Sequence, residues 1–414
     1  MKLLVLGLNY APEPVGIGPY TAGLCEDVAV RGHSVTVVAG KPYYPRWKPF
    51  PGQPSGRYSA RENSVEITRV PHYIPENPTG ARRVVHHLSF AASAYWTAMA
   101  EARRIRPDLI FTIAPSLLGV PVAARVARQA GVPLWVHVQD FEAEAAFATG
   151  LVNAHASLAK LALLTENRIL AMADKVSTIS PQMCQRLVEK RVPPERIYEL
   201  RNWSNTSFFA GLAADGGAYR DEWGIGDRKV ALYSGNISNK QGIEIIIEAA
   251  RLLKDRKDLV FVICGEGANR ARLEALSADL PNVQLHGLQP SERMGDLLSL
   301  AAVHLLPQIP GAADLVLPSK LTNILQSGRP VVATASPGTG LHAEVDGCGL
   351  LTEPGDAPAF AKAVCTLLDD PALRAALGAA ALVRAGERWS RKAILDRFEC
   401  AALELVAQGR APKR

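Results

Sequence analysis

Short apolar runs alternate with amphipathic stretches twice along this chain, and that repeated alternation restricts its fold more than any other feature. In the first half the runs 2–9, 33–39, 108–114, 133–138 and 175–179 are apolar on both faces. Strands of that kind belong to parallel sheets covered by helices. Helical patterns separate them near 19–31, 81–104, 116–130, 155–172 and 181–190. A second series opens near residue 228, with strands at 229–234, 259–264, 283–286, 302–306 and 330–334. Its helices fall near 242–256, 269–279, 291–300, 319–327, 356–369 and 371–386, and a last helix covers about 390–408. The pattern predicts an α/β protein of two doubly wound halves.

A chain of 414 residues is long enough for two cores of this size. The stretch 202–227 is rich in Asn, Gly, Asp and Ser and weak in periodicity, which makes it the natural boundary. Apolar residues at 48% and charged residues at 21% exclude disordered and low-complexity classes. The balance of 46 basic and 40 acidic residues, +6, suits a phosphate-rich ligand or an anionic membrane surface. No zinc-finger, basic-zipper or RNA-stacking pattern accompanies it, so no nucleic-acid partner is expected. The six cysteines form no CxxC pair and read as reduced, mostly buried thiols of a cytoplasmic protein. The opening apolar run stops at Asn9, Tyr10 and Pro12 without a small-residue cleavage site, and reads as a strand rather than a signal peptide.

Glycines mark the ends of several strands. Gly16 and Gly18 lie in the loop after the first strand, before Pro19 in the first helical turn, and glycines there let backbone N–H groups approach an anion. The dinucleotide fingerprint fits poorly, because Thr21 stands where its third glycine would be. In the second half a strand runs into Gly235, a polar loop supplies Lys240, and Gly242 precedes an amphipathic helix. A lysine at a helix start opposes the helix dipole unless an anion lies between them, and a diphosphate is the obvious candidate. Gly265, Glu266 and Gly267 form a second turn at a strand end. Ser319 can cap a helix beginning near Lys320, where phosphate oxygens are welcome.

The Gly-x-x-x-x-Lys-x-Gly loop at 235–242, the Gly-Glu-Gly turn at 265–267 and the Gly-x-Pro-Val-Val-Ala run at 328–333 resemble the nucleotide-sugar half of a family 4 glycosyltransferase. Asn-Tyr-Ala-Pro-Glu at 9–13, Pro-Tyr-Tyr-Pro at 42–45, His-Val-Gln-Asp at 137–140, Ser-Gly-Asn-Ile at 234–237 and Pro-Ser-Lys-Leu at 318–321 resemble the colanic-acid-type exopolysaccharide subgroup. The resemblance implies the GT-B fold, two Rossmann-like domains facing across a cleft. It places an acceptor-side domain at 1–205, a nucleotide-sugar domain at 206–389 and a helix at 390–414 that packs back on the first domain.

The resemblance also implies roles. Lys240 holds the donor diphosphate, and Asn236 stands where relatives often carry Arg, so Lys320 is expected to supply the second cation. Backbone at Gly287 and Leu288 meets the nucleobase. The usual pair of Glu residues eight apart falls on Leu315 and Asn323, with Asp314 one place off, and Leu317 and Pro318 complete that donor-side segment. His137 and Asp140 end a strand near the donor sugar and are expected, with Lys240, to be catalytic; His137 reads alternatively as a satisfied core residue, and Asp140 with Glu142 and Glu144 as a solvated acidic face. His86 and His87 read as helix surface rather than metal ligands, and neither metal nor cofactor is expected beyond the donor itself.

The implied reaction is transfer with retention from a UDP or GDP sugar to a lipid-linked saccharide in surface polysaccharide biosynthesis. The departing diphosphate would help to deprotonate the acceptor at the front face. The segment 80–104, apolar in its middle and basic at both ends, is expected to rest on the inner face of the cytoplasmic membrane or to lie on the sheet as an ordinary helix. Aromatics of the 41–58 loop either stack on the acceptor or pack against the domain. A nucleotide-sugar epimerase of the same fold and a non-catalytic nucleotide-sugar-binding protein are the alternatives.

Overall fold

The strand β1 (Lys2–Gly7) is apolar from Leu3 to Leu6, and Leu3, Leu4 and Val5 have no exposed surface. The computed structural model describes residues 1–14, 16–114, 117–141, 156–204, 208, 217–238, 241–309, 318 and 320–410, with the backbone alone at 156–162 and 410. The chain divides into two units, Met1–Arg201 with Lys392–Arg414, and Asn202–Arg391.

In the first unit β1 lies inside an eight-stranded sheet. The others are β2 (Ser34–Gly40), β3 (Tyr58–Glu62), β4 (Val65–Val70), β5 (Leu109–Ala114), β6 (Leu134–Val138), β7 (Lys175–Thr178) and β8 (Ile197–Glu199). Their spatial order is β3-β4-β2-β1-β5-β6-β7-β8. All pairs are parallel except β3 with β4, which Asn63 and Ser64 join through a turn at φ 47 and 68. Such positive angles at both turn residues match the twist of a tight hairpin. Helices Gly18–Val30, Gly80–Ile105, Val120–Ala130, Ala156–Leu170 and Pro181–Glu189 connect the strands.

The last helix, Arg391–Arg410, closes the first unit. Phe398 packs against Phe111 and Trp135 with ring centres 5.4 and 5.1 Å apart. Arg31 pairs with Asp396 at 2.6 Å and with Glu399 at 2.9 Å, and His33 Nε2 lies 2.7 Å from Glu399.

The helix Gly80–Ile105 buries His86, His87, Phe90, Ala94 and Ala98 on one side. The reading of His86 and His87 as surface residues is therefore corrected: both are buried, His86 because Tyr43 and Trp47 cover it beside His72, and His87 against the His86 ring. The opposite side exposes Val84, Val85, Leu88 and Trp96, the last at 76%. Arg82 and Arg83 stand near its start and Arg103 and Arg104 near its end.

The second unit is a six-stranded parallel sheet of β9 (Lys229–Ser234), β10 (Leu259–Cys264), β11 (Val283–His286), β12 (Val303–Leu306), β13 (Val331–Thr334) and β14 (Gly349–Thr352). Its order, β11-β10-β9-β12-β13-β14, is the doubly wound 3-2-1-4-5-6 arrangement, whose strand order reverses between β9 and β12. Alternation along β10 divides the core. Phe261 and Ile263 pack with Ile246, Phe360 and Leu367 on one face. Val260 and Val262 pack with Tyr219 and Leu297 on the other. Asp356 and Asp370 cap helices Ala357–Asp369 and Pro371–Trp389 by accepting from Ala359 N and Leu373 N, each at 2.9 Å.

All six cysteines are free, but only Cys25, Cys264 and Cys348 are buried. Cys400 is exposed because it faces outward from the last helix.

Candidate active site

At the carboxyl ends of β9, β10 and β11 three loops stack backbone against backbone. Gly235 N donates to the Cys264 carbonyl at 2.9 Å, Gly265 N to the His286 carbonyl at 3.0 Å, and Ile237 N to the Glu266 carbonyl at 2.8 Å. The approach is too close for any side chain. A Cβ at Gly265 would stand 1.9 Å from the Gly235 oxygen, and one at Gly267 would stand 2.2 Å from the Ile237 oxygen. These glycines are required by packing, and the loops they join lie beside the point where the strand order reverses, where sheets of this kind bind ligands.

Arg270 locks the stack. Its Nη1 donates to the Gly265 carbonyl at 2.7 Å and to the His286 carbonyl at 2.9 Å. His286 lies flat against Trp223, ring centres 3.8 Å apart, which fixes the strand end that leads into Gly287 and Leu288. Leu288 is 63% exposed, and Glu266 reaches out beside Gly287.

Lys320, at the start of the helix Lys320–Gln326, extends over Gly235. Its Nζ donates to the Tyr233 hydroxyl at 3.0 Å and to Gln241 Oε1 at 3.2 Å, and stands 4.1 Å from the centre of the Tyr233 ring. The Tyr233 hydroxyl passes its own proton donation on to the Asn236 carbonyl at 2.7 Å. One lysine thus braces the loop that begins at Gly235. Burial pushes its amine down to about 7 and pushes the Tyr233 phenol up. At the end of β12, Gln308 exchanges hydrogen bonds with Thr334, while its buried side-chain Oε1 has no partner among the described residues.

Among the expected donor residues, Gly235, Asn236, Gly265, Glu266, Gly267, Gly287, Leu288 and Lys320 therefore gather at one edge of the second sheet. Pro318 and Asn323 flank Lys320 in sequence, Asn323 within its helix. Lys240, Asp314, Leu317 and Ser319 lie outside the described residues, as do Glu142 and Glu144.

In the first unit Gly16 and Gly18 wrap a buried carboxylate. Glu13, 2% exposed, accepts from the backbone N–H groups of Tyr43 and Tyr44 at 3.0 Å each and from Asn9 Nδ2 at 2.9 Å. A Cβ at Gly18 would come within 3.0 Å of the Glu13 Cβ, so glycine there makes room for that side chain. Gly16, at φ +77, lies against the Tyr44 ring. These two glycines shape a loop around Glu13.

His137 ends β6 with its ring in the core, 4% exposed and stacked on Phe111. Its Nδ1 lies 2.9 Å from Ser177 Oγ, which also accepts from Trp135 Nε1, and its Nε2 lies 2.9 Å from the Gln139 amide. Burial pushes it down to about 3, so the ring is neutral. That is the satisfied core position, enclosed on its polar edges. Asp140, two residues past β6, is partly exposed.

The segment 15–203 matches the family described as Glycosyl transferase 4-like domain, and 217–384 matches Glycosyl transferases group 1. The chain is 40% identical over 341 residues to the putative colanic acid biosynthesis glycosyl transferase WcaI of Escherichia coli (strain K12), covering 81% of this chain and 83% of that protein. The chain belongs to this glycosyltransferase family. Solved structures agree on the fold of the glycosyltransferase. Sucrose-phosphate synthase from Thermosynechococcus elongatus superposes with a TM-score of 0.74 at 19% identity, over 99% of this chain and 100% of that one. Anabaena Alr3699/HepE, solved in complex with UDP-glucose, gives 0.71 at 16%, over 98% and 100%. The two Rossmann-like sheets are those of the GT-B class.

Sequence reasoning about the glycosyltransferase missed Tyr233, Arg270, Gln308 and Glu13. Arg270 and Glu13 bond backbone carbonyl or N–H groups brought from other strands and loops, which no local pattern announces, while Tyr233 bonds the Asn236 carbonyl within its own loop. Glu13 had a signal in the Asn-x-x-x-Glu spacing from Asn9, which closes a hydrogen bond within one loop.

Proposed function

We propose that this glycosyltransferase transfers a hexose or deoxyhexose, with retention, from a UDP or GDP sugar to a lipid-linked saccharide in exopolysaccharide biosynthesis. The observation that carries the reading is the joint position of Lys320 and the glycine-packed loops at 235–238 and 265–267, beside the reversal point of the second sheet. The lysine amine over Gly235, in a loop that leaves room for close approach, is complementary to a diphosphate. Lys240 belongs to the same loop in sequence and adds a second cation to the proposed site.

In the mechanism the sugar–oxygen bond to the diphosphate breaks as the acceptor oxygen attacks from the same face. Negative charge grows on the leaving diphosphate, and Lys320 and Lys240 stabilise it. A diphosphate oxygen takes the acceptor proton. A double displacement would need a carboxylate close to the anomeric carbon. The sequence singles out no such carboxylate, and the front-face route is the one proposed.

The relatives support the pathway. The E. coli protein carries colanic acid biosynthesis in its name, and two mycobacterial relatives at 24% and 25% identity are described as GDP-mannose-dependent. A lipid-linked acceptor is supported by the helix Gly80–Ile105, whose exposed Val85, Leu88 and Trp96 form an apolar stripe with arginines at both ends. No helix among the described residues is long and apolar enough to cross a membrane; the exposed stripe is what supports contact with the bilayer surface.

The test is a thermal-shift screen of UDP, GDP, ADP and dTDP sugars, followed by transfer assays with the stabilising donor and a lipid-linked acceptor extract. Transfer with the anomeric configuration kept supports the reading. Turnover of the donor without acceptor would replace it with an epimerase, and tight binding with no turnover would replace it with a non-catalytic binder.

A further inference from the structure

Among the described residues the amine of Lys320 meets no counter-charge. Its two hydrogen-bond partners, the Tyr233 hydroxyl and the Gln241 amide oxygen, are both neutral, and the face of the Tyr233 ring forms a third side. Among the described residues no carboxylate comes within 4.0 Å of it. The charged side chains on the neighbouring loop, Glu266 and Arg270, face each other at 3.7 Å. Among the described residues an ammonium held this way finds two neutral acceptors for three N–H donors, and removing that charge from water costs more than the neutral contacts return. The backbone beside it is Gly235, where a Cβ would sit 3.4 Å from Nζ, so the amine borders the loop assigned to the diphosphate.

We infer that Lys320 is a proton-coupled donor sensor: its amine is neutral in the empty site and takes one proton from solvent when the donor diphosphate enters. This rests on the donor-site reading above and deepens it. The balance is simple. A buffer acid gives up one proton, an N–H bond forms at Nζ, and the ammonium then faces the diphosphate negative charge. The diphosphate of a nucleotide sugar is a diester with no group titrating near neutrality, so it cannot supply the proton.

The geometry also says what the proton does. Nζ as ammonium donates more strongly to the Tyr233 hydroxyl, and that hydroxyl donates to the Asn236 carbonyl. Donor entry thus tightens the loop that receives it. The burial that holds the free amine near 7 sets the range in which the coupling operates. Below that value the amine is already charged and binding takes up no proton. Above it, each pH unit weakens donor affinity about tenfold until the bound-state value is reached.

The experiment is titration calorimetry at about pH 8 and about pH 6, in pairs of buffers with different ionisation enthalpies. UDP-glucose, GDP-mannose, ADP-glucose and dTDP-glucose serve as probes. The inference expects uptake close to one proton per site at the higher pH and close to none at the lower. Lys320→Met should abolish the uptake, and Lys320→Arg should bind without uptake, with melting temperatures confirming that both fold. Binding by the wild type without uptake at the higher pH overturns the inference alone. Uptake that persists in Lys320→Met and disappears in Lys240→Met also overturns it, by moving the proton to another lysine. No binding of any probe at either pH overturns the donor-site reading and the inference together.

Discussion

The Nζ of Lys320 stands 3.0 Å from the Tyr233 hydroxyl and 4.1 Å from the centre of its ring, so one aromatic residue both supports and hydrogen-bonds the amine over Gly235. Tyr233 is fully buried, and its hydroxyl is also the donor to the Asn236 carbonyl. Tyr233→Phe should keep the ring and lose both bonds. Urea unfolding should show a loss of about 1–2 kcal/mol, and donor kcat/KM should fall about tenfold. Unchanged donor kinetics would detach the tyrosine from the site.

The stacked loops make a second prediction. Gly265→Ala would place a methyl group 1.9 Å from the Gly235 oxygen, on backbone that cannot step aside without breaking the Gly235–Cys264 hydrogen bond. The variant should lose at least about 2–3 kcal/mol in denaturant unfolding and lose donor binding with it. Gly386→Ala meets nothing within 4 Å and sits in a helix, so it should be neutral or slightly stabilising in the same assay.

Acid should weaken the first unit through its buried histidines. His72, His87 and His137 are each pushed down to about 3 by burial, well below the unfolded value. The unfolded chain then binds protons more readily, so stability falls as pH drops below about 6.5, by about 1.4 kcal/mol per pH unit for each such group. Melting temperature followed from neutral pH downward should show this decline, and His72→Gln should flatten it. A stability plateau down to about pH 4.5 would contradict the neutral burial of these rings.

The exposed stripe on Gly80–Ile105 carries the membrane prediction. Leu88→Glu with Trp96→Ala should abolish co-sedimentation with anionic vesicles while leaving the melting temperature unchanged, because both side chains face solvent. Vesicle binding equal to that of the parent protein would leave the stripe without that role.

Much of the fold was legible because its strands are long enough to be apolar on both faces. β1, β2, β5 and β10 announce themselves that way. β3, β4, β8 and β14 did not. β3 is an edge strand with mostly exposed, polar residues, β8 has three residues, and β14 is an edge strand only partly buried. The hairpin of β3 with β4 went unread, although Val65 and Ile67 alternate with Glu66 and Thr68 after Asn63–Ser64.

The site divides differently. Glycines 235, 265 and 267 were visible as turn residues, but their reason, contact between loop backbones, exists only once β9 and β10 are paired. Histidine pairs misled for the same reason. His86 and His87 follow an apolar pair, and nothing local says that Tyr43 and Trp47 fold over His86 from a distant loop. Charge at 320 was visible, whereas the neutrality of its surroundings was not.

The most direct measurement is donor-dependent sugar transfer by the wild type, Lys320→Ala and Lys240→Ala at equal folded concentration. Grip on a departing diphosphate by these amines predicts a loss of at least about 100-fold in kcat for each variant, with melting temperatures close to the parent. Wild-type transfer rates in Lys320→Ala would contradict the account at its centre.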